Sequence, residues 1–174
     1  LGGLAVVALA AGAARAMPAC LDPPPPARLA QAVVTQVVDG DTIRVRRDPG
    51  ASERVRLIGI DAPEVYDGGR PDGAGWRARR NRAEIRAQGR LALAFARRHL
   101  AGRRVRLEFD VERLDRFGRT LAYVWMDDGA MFNLFALREG YARVLTIPPN
   151  VRYAALFVAC QREARAARRG LWGP

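Results

Sequence analysis

A chain of 174 residues, 49% of them hydrophobic and 27% charged, has room for one domain with a buried core and short terminal extensions. It is neither a polytopic membrane protein nor a long disordered polymer. Its 29 basic residues, all arginine, outnumber 18 acidic ones and give a formal charge of +11, which suits a polyanionic partner such as nucleic acid or an anionic membrane surface. The two cysteines, Cys20 and Cys160, have no metal-site spacing, so zinc and iron–sulfur chemistry lack support and one disulfide remains open.

Leu1 to Gly12 is an apolar run of Leu, Val, Ala and Gly followed by Ala14-Arg15-Ala16, the pattern of a secretory h-region and small-residue cleavage site. Residues 1–20 are therefore read as an export segment. Cleavage, retention as a membrane tether and lipid attachment at Cys20 are the alternatives, and the expected location is secreted or periplasmic. Residues 21–30 form a linker stiffened by the prolines from Pro23 to Pro26, and the folded domain occupies 31–174.

Within it, Gln31–Val38, Thr42–Arg46 and Arg54–Ile60 are rich in Val and Ile and broken by Asp39-Gly40 and by Asp48-Pro49-Gly50, which predicts three strands joined by tight turns. Glycines and a proline crowd residues 65–82, giving a long mobile loop. Arg82–Leu100 carries Ile85, Ala92, Phe95, Ala96 and Leu100 near one stripe and stops at Gly102, a helix with Gly89 as its weak point. Val105–Val111 and Thr120–Met126 are again strand-like, and Met131–Glu139 is a short helix ending at Gly140. Asn150 is placed to cap a last helix running to Arg169. The fold class is α+β: five short strands with Gly-rich turns and three helices around a compact barrel.

Three segments combine acids with arginines. In Asp39-Gly40-Asp41-Thr42 two carboxylates stand two residues apart at a turn entering a strand, and so point to the same side. In Arg56-Leu57-Ile58-Gly59-Ile60-Asp61-Ala62-Pro63-Glu64 an apolar strand delivers an arginine and breaks at Pro63 between two carboxylates. Asp115-Arg116-Phe117-Gly118-Arg119 is an arginine-bearing turn between the last two strands. Each alone is compatible with a solvated turn. His99, the sole histidine, is expected at the surface, and Ser52 has no nucleophile-elbow context, so histidine- and serine-based hydrolysis lack a foundation. Cys160, in an apolar helical stretch, reads as a buried thiol if unpaired, and Trp125 and Trp172 read as core and lid. Residues 77–106 hold eleven arginines against one carboxylate, Glu84, more than solubility demands. Arg77, Arg79, Arg80 and Arg82 are read as a nucleic-acid track, with Trp76 placed to stack on a base or to pack under the loop.

In their order and spacing the three segments resemble the staphylococcal-nuclease-like family. Further matches lie at Phe132-Asn133, at Arg138-Glu139-Gly140, and from Glu163-Ala164 to Gly170-Leu171-Trp172. The resemblance covers about residues 31–172. It implies a five-stranded oligonucleotide-binding-type β-barrel with three helices. The implied activity is calcium-dependent hydrolysis of DNA and RNA phosphodiesters to products with 3′-phosphates, single strands preferred, by an expected monomer without organic cofactor. Carried over by residue, Asp41, Asp61 and the backbone carbonyl of Ala62 match calcium ligands, and Asp39 matches a carboxylate behind them. Glu64 matches the general base or water-positioning group, and Arg56 and Arg119 match the arginines on the scissile phosphate. Phe117 matches a nucleotide-binding tyrosine that has lost its hydroxyl, and Thr146 stands near a second such tyrosine. The alternative is a non-catalytic nucleic-acid-binding module on the same barrel.

Overall fold

The structure is a computed structural model that describes residues 19–47, 50, 52–65 and 82–173. Strands β1 (Ala30–Asp39), β2 (Thr42–Arg46), β3 (Ser52–Leu57), β5 (Arg104–Glu108) and β6 (Thr120–Met126) close a barrel in the order β1-β2-β3-β6-β5. The short strands β4 (Ile60–Asp61) and β7 (Arg143–Val144) pair antiparallel outside it. Among the described residues three helices complete the domain: α1 (Arg82–Leu100), α2 (Phe132–Arg138) and α3 (Ala154–Ala166), with a 3-10 turn at Gly170–Trp172. The predicted α+β barrel with three helices is therefore the observed fold.

Alternation of β-branched residues drives the closure. On β2 and β3, Ile43, Val45, Val55 and Leu57 turn inward and are buried, while Arg44, Arg46, Arg54 and Arg56 turn outward. β1 is long enough to pair with β5 through Ala30–Val33 and with β2 through Val33–Asp39. Register shifts between Val34 and Gln36 and between Val37 and Asp39 bend it around the barrel. β3 and β6 are joined in parallel. β6 is buried on both faces: Ala122 and Val124 fill the barrel, and Tyr123 and Trp125 lie under Tyr153 of the segment entering α3.

Asn133 of α2 is fully buried and joins two elements. Its Oδ1 accepts the Val124 N–H at 2.9 Å and its Nδ2 donates to the Ile58 carbonyl at 2.8 Å, so the turn after β3 is bonded to β6 through a side chain.

Several boundaries differ from the sequence reading. The predicted strand to Ile60 ends at Leu57, because Gly59 adopts φ +79° and a Cβ there would lie 2.5 Å from the Phe157 ring. The chain turns, and Ile60-Asp61 leaves the barrel to pair with Arg143-Val144. The strand predicted to Val111 ends at Glu108, whose buried carboxylate accepts the Trp125 indole N–H at 2.8 Å. Asn150 does not cap the last helix, which begins at Ala154 after Tyr153. It instead pins the loop after β5, accepting the Glu112 N–H at 2.8 Å and donating to the Glu112 carbonyl at 2.9 Å. His99 is half-buried against Phe95 and Phe135, at ring distances of 4.7 and 4.9 Å. Burial first, then the charges of Arg98 and Arg103, lowers its pKa. Trp125 lies in the core as expected, and Trp172 packs under the Arg165 guanidinium, 4.3 Å from the ring centroid.

Cys160 is not a free thiol: it is disulfide-bonded to Cys20 across 140 residues, with Cα atoms 4.6 Å apart. The Cys20 N–H also donates to Glu163 Oε1 at 3.0 Å, so the segment preceding β1 is moored on α3. The predicted export segment, apart from Ala19 and Cys20, and the loop residues 66–81 with Trp76, Arg77, Arg79 and Arg80 lie outside the described residues.

Closing a loop of this length restricts the unfolded chain strongly, and in small domains a native disulfide is typically worth about 2–4 kcal/mol. A Cys20→Ala/Cys160→Ala variant is expected to lose stability in that range in denaturant titration with its circular dichroism preserved; unchanged stability would mean that the bond ties down nothing.

Candidate active site

The site forms where two chain breaks face each other. The β1–β2 turn presents Asp39 and Asp41, and the β3–β4 break presents Arg56, Asp61, Ala62 and Glu64. Small residues make the approach close enough. A Cβ on Gly40 would stand 2.5 Å from Ala62 Cβ, and one on Gly89 of α1 would stand 2.5 Å from the Glu64 carbonyl oxygen. Gly89, the weak point of the helix in the sequence, is thus where the site backbone crosses α1.

Arg56 is the hub. Its Nη1 donates to the carbonyls of Leu57 at 2.8 Å and Ile60 at 2.7 Å. Its Nη2 lies 3.1 Å from Asp41 Oδ2 and 3.5 Å from Asp61 Oδ1. Asp41, 7% exposed, also accepts the Ala62 N–H at 2.8 Å through Oδ2 and the Thr42 hydroxyl at 3.0 Å through Oδ1. Asp39 Oδ1 accepts the Asp41 N–H at 3.2 Å.

The sequence reading overlooked Arg143. Directly opposite Asp61 in the β4–β7 pair, it donates to Asp61 Oδ2 through Nε at 2.9 Å, and its Nη2 lies 2.8 Å from the same oxygen. One Asp61 oxygen therefore faces Arg143 and the other faces Asp41 across Arg56. A two-residue strand is too short to show periodicity, and no motif marks Arg143, so only the pairing reveals it.

Arg119 reaches the cleft from another loop. Asp115 Oδ1 accepts the backbone N–H groups of Phe117 and Arg119, both at 2.9 Å, and its Oδ2 accepts Arg119 Nε at 2.6 Å. Burial raises the Asp115 pKa, but these hydrogen bonds outweigh it and hold the carboxyl below its ordinary value. The positive charge of Arg119 is felt at Glu64, where it acts to lower the pKa. Phe117 is 45% exposed and lies beneath the guanidinium groups of Arg116 and Arg119, 4.7 and 5.5 Å from its ring centroid. Thr146 is exposed on the loop after β7. Arg82 opens α1.

Negative charge is crowded at this point. Burial, followed by the charge of Asp41, raises Asp39 to about 8. The same two causes in the same order raise Asp61 and Glu64, with Arg56 opposing in both. The donor set fits a hard divalent cation: it consists of oxygens, and its carboxylates repel one another in a way that a cation would relieve. Among the described residues no three Asp, Glu, His or Cys side chains form a cage by themselves. A cation here would draw on Asp41, Asp61, the Ala62 carbonyl and water.

With Asp39, Asp41, Arg56, Asp61, Ala62 and Glu64 brought together and Arg119 held facing them, comparison with known proteins becomes informative. The model of the staphylococcal nuclease homologue family matches residues 54–174. The chain is 41% identical over 140 residues to a thermonuclease of Staphylococcus intermedius, covering 80% of this chain and 74% of that protein. It is 37% identical over 139 residues to a thermonuclease of Staphylococcus hyicus, covering 80% and 73%. It is 30% identical over 151 residues to the endonuclease YncB of Bacillus subtilis, covering 83% and 63%. These relatives support a nuclease, and on this match over most of its length the chain belongs to the staphylococcal nuclease homologue family.

Proposed function

We propose that the protein is a calcium-dependent endonuclease that hydrolyses phosphodiesters of DNA and RNA, preferring single strands, and leaves 3′-phosphates. The observation that carries this reading is the convergence of Asp41, Asp61 and Glu64 on Arg56, with Arg119 held by Asp115 on the same cleft. A module that only bound nucleic acid would have no use for buried acids at a phosphate site.

In this reading Asp41, Asp61 and the Ala62 carbonyl hold calcium, which when bound supplies positive charge to a phosphate oxygen. Asp39 stands behind them, bonded to the Asp41 N–H. Water attacks phosphorus and gives a proton to Glu64, and the bond from phosphorus to the 5′-oxygen breaks; that oxygen leaves with the electron pair and takes up a proton from solvent water, so the phosphate stays on the 3′ side. Negative charge builds on the equatorial oxygens as this occurs. The guanidinium groups of Arg56 and Arg119, held in place before substrate arrives, stabilise it where it develops. Phe117 offers a stacking surface, and Arg77, Arg79, Arg80 and Arg82 add phosphate contacts beyond the scissile one. A disulfide persists in oxidising compartments, so Cys20–Cys160 supports a secreted or periplasmic location, with the N-terminal segment as leader or tether.

Cleavage of single-stranded DNA is expected to cease in excess chelator and return with calcium; equal digestion in both would remove the metal from the mechanism. Arg119→Ala is expected to lower turnover by on the order of a hundredfold or more without unfolding the protein, since Arg119 sits on a loop held by Asp115. Arg56→Ala should also lose stability, because the Leu57 and Ile60 carbonyls lose a donor and Asp41 and Asp61 lose a shared cation. Near wild-type rates from a folded Arg119→Ala variant would take that residue out of the site.

A pH dependence follows from Asp39. Its carboxyl ionises near 3.8 in the unfolded chain and near 8 in the fold, so the folded state holds a proton that the unfolded state has released. Metal-free stability should therefore fall as pH rises through that window. In chelator, the melting temperature of wild type is expected to drop between pH 5 and pH 9 by more than that of Asp39→Asn; parallel curves would show that Asp39 ionises normally.

A further inference from the structure

The two oxygens of Asp61 are held differently. Oδ2 accepts Arg143 Nε at 2.9 Å and has Arg143 Nη2 at 2.8 Å, so two nitrogens of one guanidinium converge on a single oxygen. Oδ1 lies 3.5 Å from Arg56 Nη2, longer than a hydrogen bond, and is turned toward Asp41 across that group. The Arg143 and Asp61 side chains are 20% and 19% exposed, a partly desolvated setting in which charge-assisted bonds hold firmly.

The strand that carries Arg143 is fixed by other bonds. The Val144 N–H donates to Gln161 Oε1 of α3 at 2.7 Å, and the Leu145 N–H donates to the Gly59 carbonyl at 3.0 Å. A substitution at 143 therefore removes a side chain and leaves the β4–β7 pairing in place.

Hard divalent cations take a carboxylate through one oxygen or through both. A carboxylate tied at the rear offers only its front oxygen; once released, it can turn and offer two. Arg143 also sets a positive charge beside acids that would bind a cation, which works against affinity. Its effect is to moderate the grip on an ion and to fix which oxygen Asp61 presents.

We infer that Arg143 is a positioning residue of the candidate active site: it holds Asp61 by Oδ2 so that only Oδ1 is presented to a cation, which keeps coordination positions open for water and a substrate phosphate oxygen. The inference rests on the metal-dependent nuclease reading and deepens it. Because both guanidinium nitrogens meet the same oxygen, the contact does not need a planar fork, and an ammonium group can replace it, in contrast to Arg56.

The test uses the full chain loaded with europium(III), an oxygen-seeking ion close to calcium in size, whose luminescence lifetimes in H2O and D2O count the waters bound to it. Arg143→Met is expected to hold about one water fewer than wild type, because Asp61 then supplies its second oxygen. Calorimetry should give it a calcium Kd equal to or below that of wild type. Its kcat on single-stranded DNA should nevertheless fall about tenfold, with KM changed by less than about twofold. Arg143→Lys should restore the wild-type water count and most of kcat. Arg143→Gln carries the same expectations as Arg143→Met and replaces it if circular dichroism shows that variant unfolded.

An unchanged water count, or a calcium Kd above that of wild type, is what a merely structural role produces, and either would overturn the inference. A wild type that binds europium, with the water lost in Arg143→Met, but cleaves no nucleic acid with calcium would overturn the nuclease reading and leave the role of Arg143 standing. A wild type that binds neither ion would overturn the metal reading and this inference together.

Discussion

The site depends on one side chain that is both structural and electrostatic. Arg56 leaves β3 at the point where the barrel strand stops, and its guanidinium group bonds the carbonyls of Leu57 and Ile60 across the break. Those carbonyls would otherwise face a loss of pairing where strand geometry ends. The same group faces Asp41 and Asp61, so the cation that closes the backbone also holds together carboxylates that would repel. A lysine could not do this, since one ammonium lacks the planar fork that bonds two carbonyls with one nitrogen and faces two acids with the other.

Around that hub the fold supplies closeness and rigidity by different means. Closeness comes from missing atoms: Gly40, Ala62 and Gly89 let two turns and a helix meet where any larger side chain would collide. Rigidity comes from buried polar groups that bond backbone of distant segments. Asn133 ties the β3–β4 turn to β6, Asn150 ties the loops after β5 and β7, and Asp115 folds its own loop around Arg119. An arginine stabilises developing charge best where little reorganisation is needed when the charge appears. Asp115 holds Arg119 in that way, as the proposed function requires.

Charge is distributed unevenly. The chain carries +11 overall, yet its cleft concentrates Asp39, Asp41, Asp61 and Glu64 around Arg56 and Arg143. An acidic pocket set in a basic surface suits a cation inside and a polyanion outside. Arg143 fits this division: by engaging one oxygen of Asp61 it leaves the other turned toward Arg56 and, across it, Asp41.

Much of this was legible in the chain. Val- and Ile-rich stretches marked β1, β2 and β3, the apolar stripe marked α1, and the three acid–arginine segments hold Asp41, Arg56, Asp61, Glu64 and Arg119, because motif spacing and local periodicity are properties of short stretches. Contacts between residues far apart in sequence had no such signal. The end of β3 at Leu57 was decided by Phe157 packing where a Cβ of residue 59 would stand; Asn150 looked like a helix cap because its partner, Glu112, is 38 residues away. Arg143 became part of the site only through its pairing with Asp61, and Cys160 became half of a disulfide only because the segment before β1 returns to α3. The sequence by itself determined which residues carry charge and which strands and helices they ride on. The tertiary structure decided which charges face each other, since that depends on register and close packing between segments that no local pattern encodes.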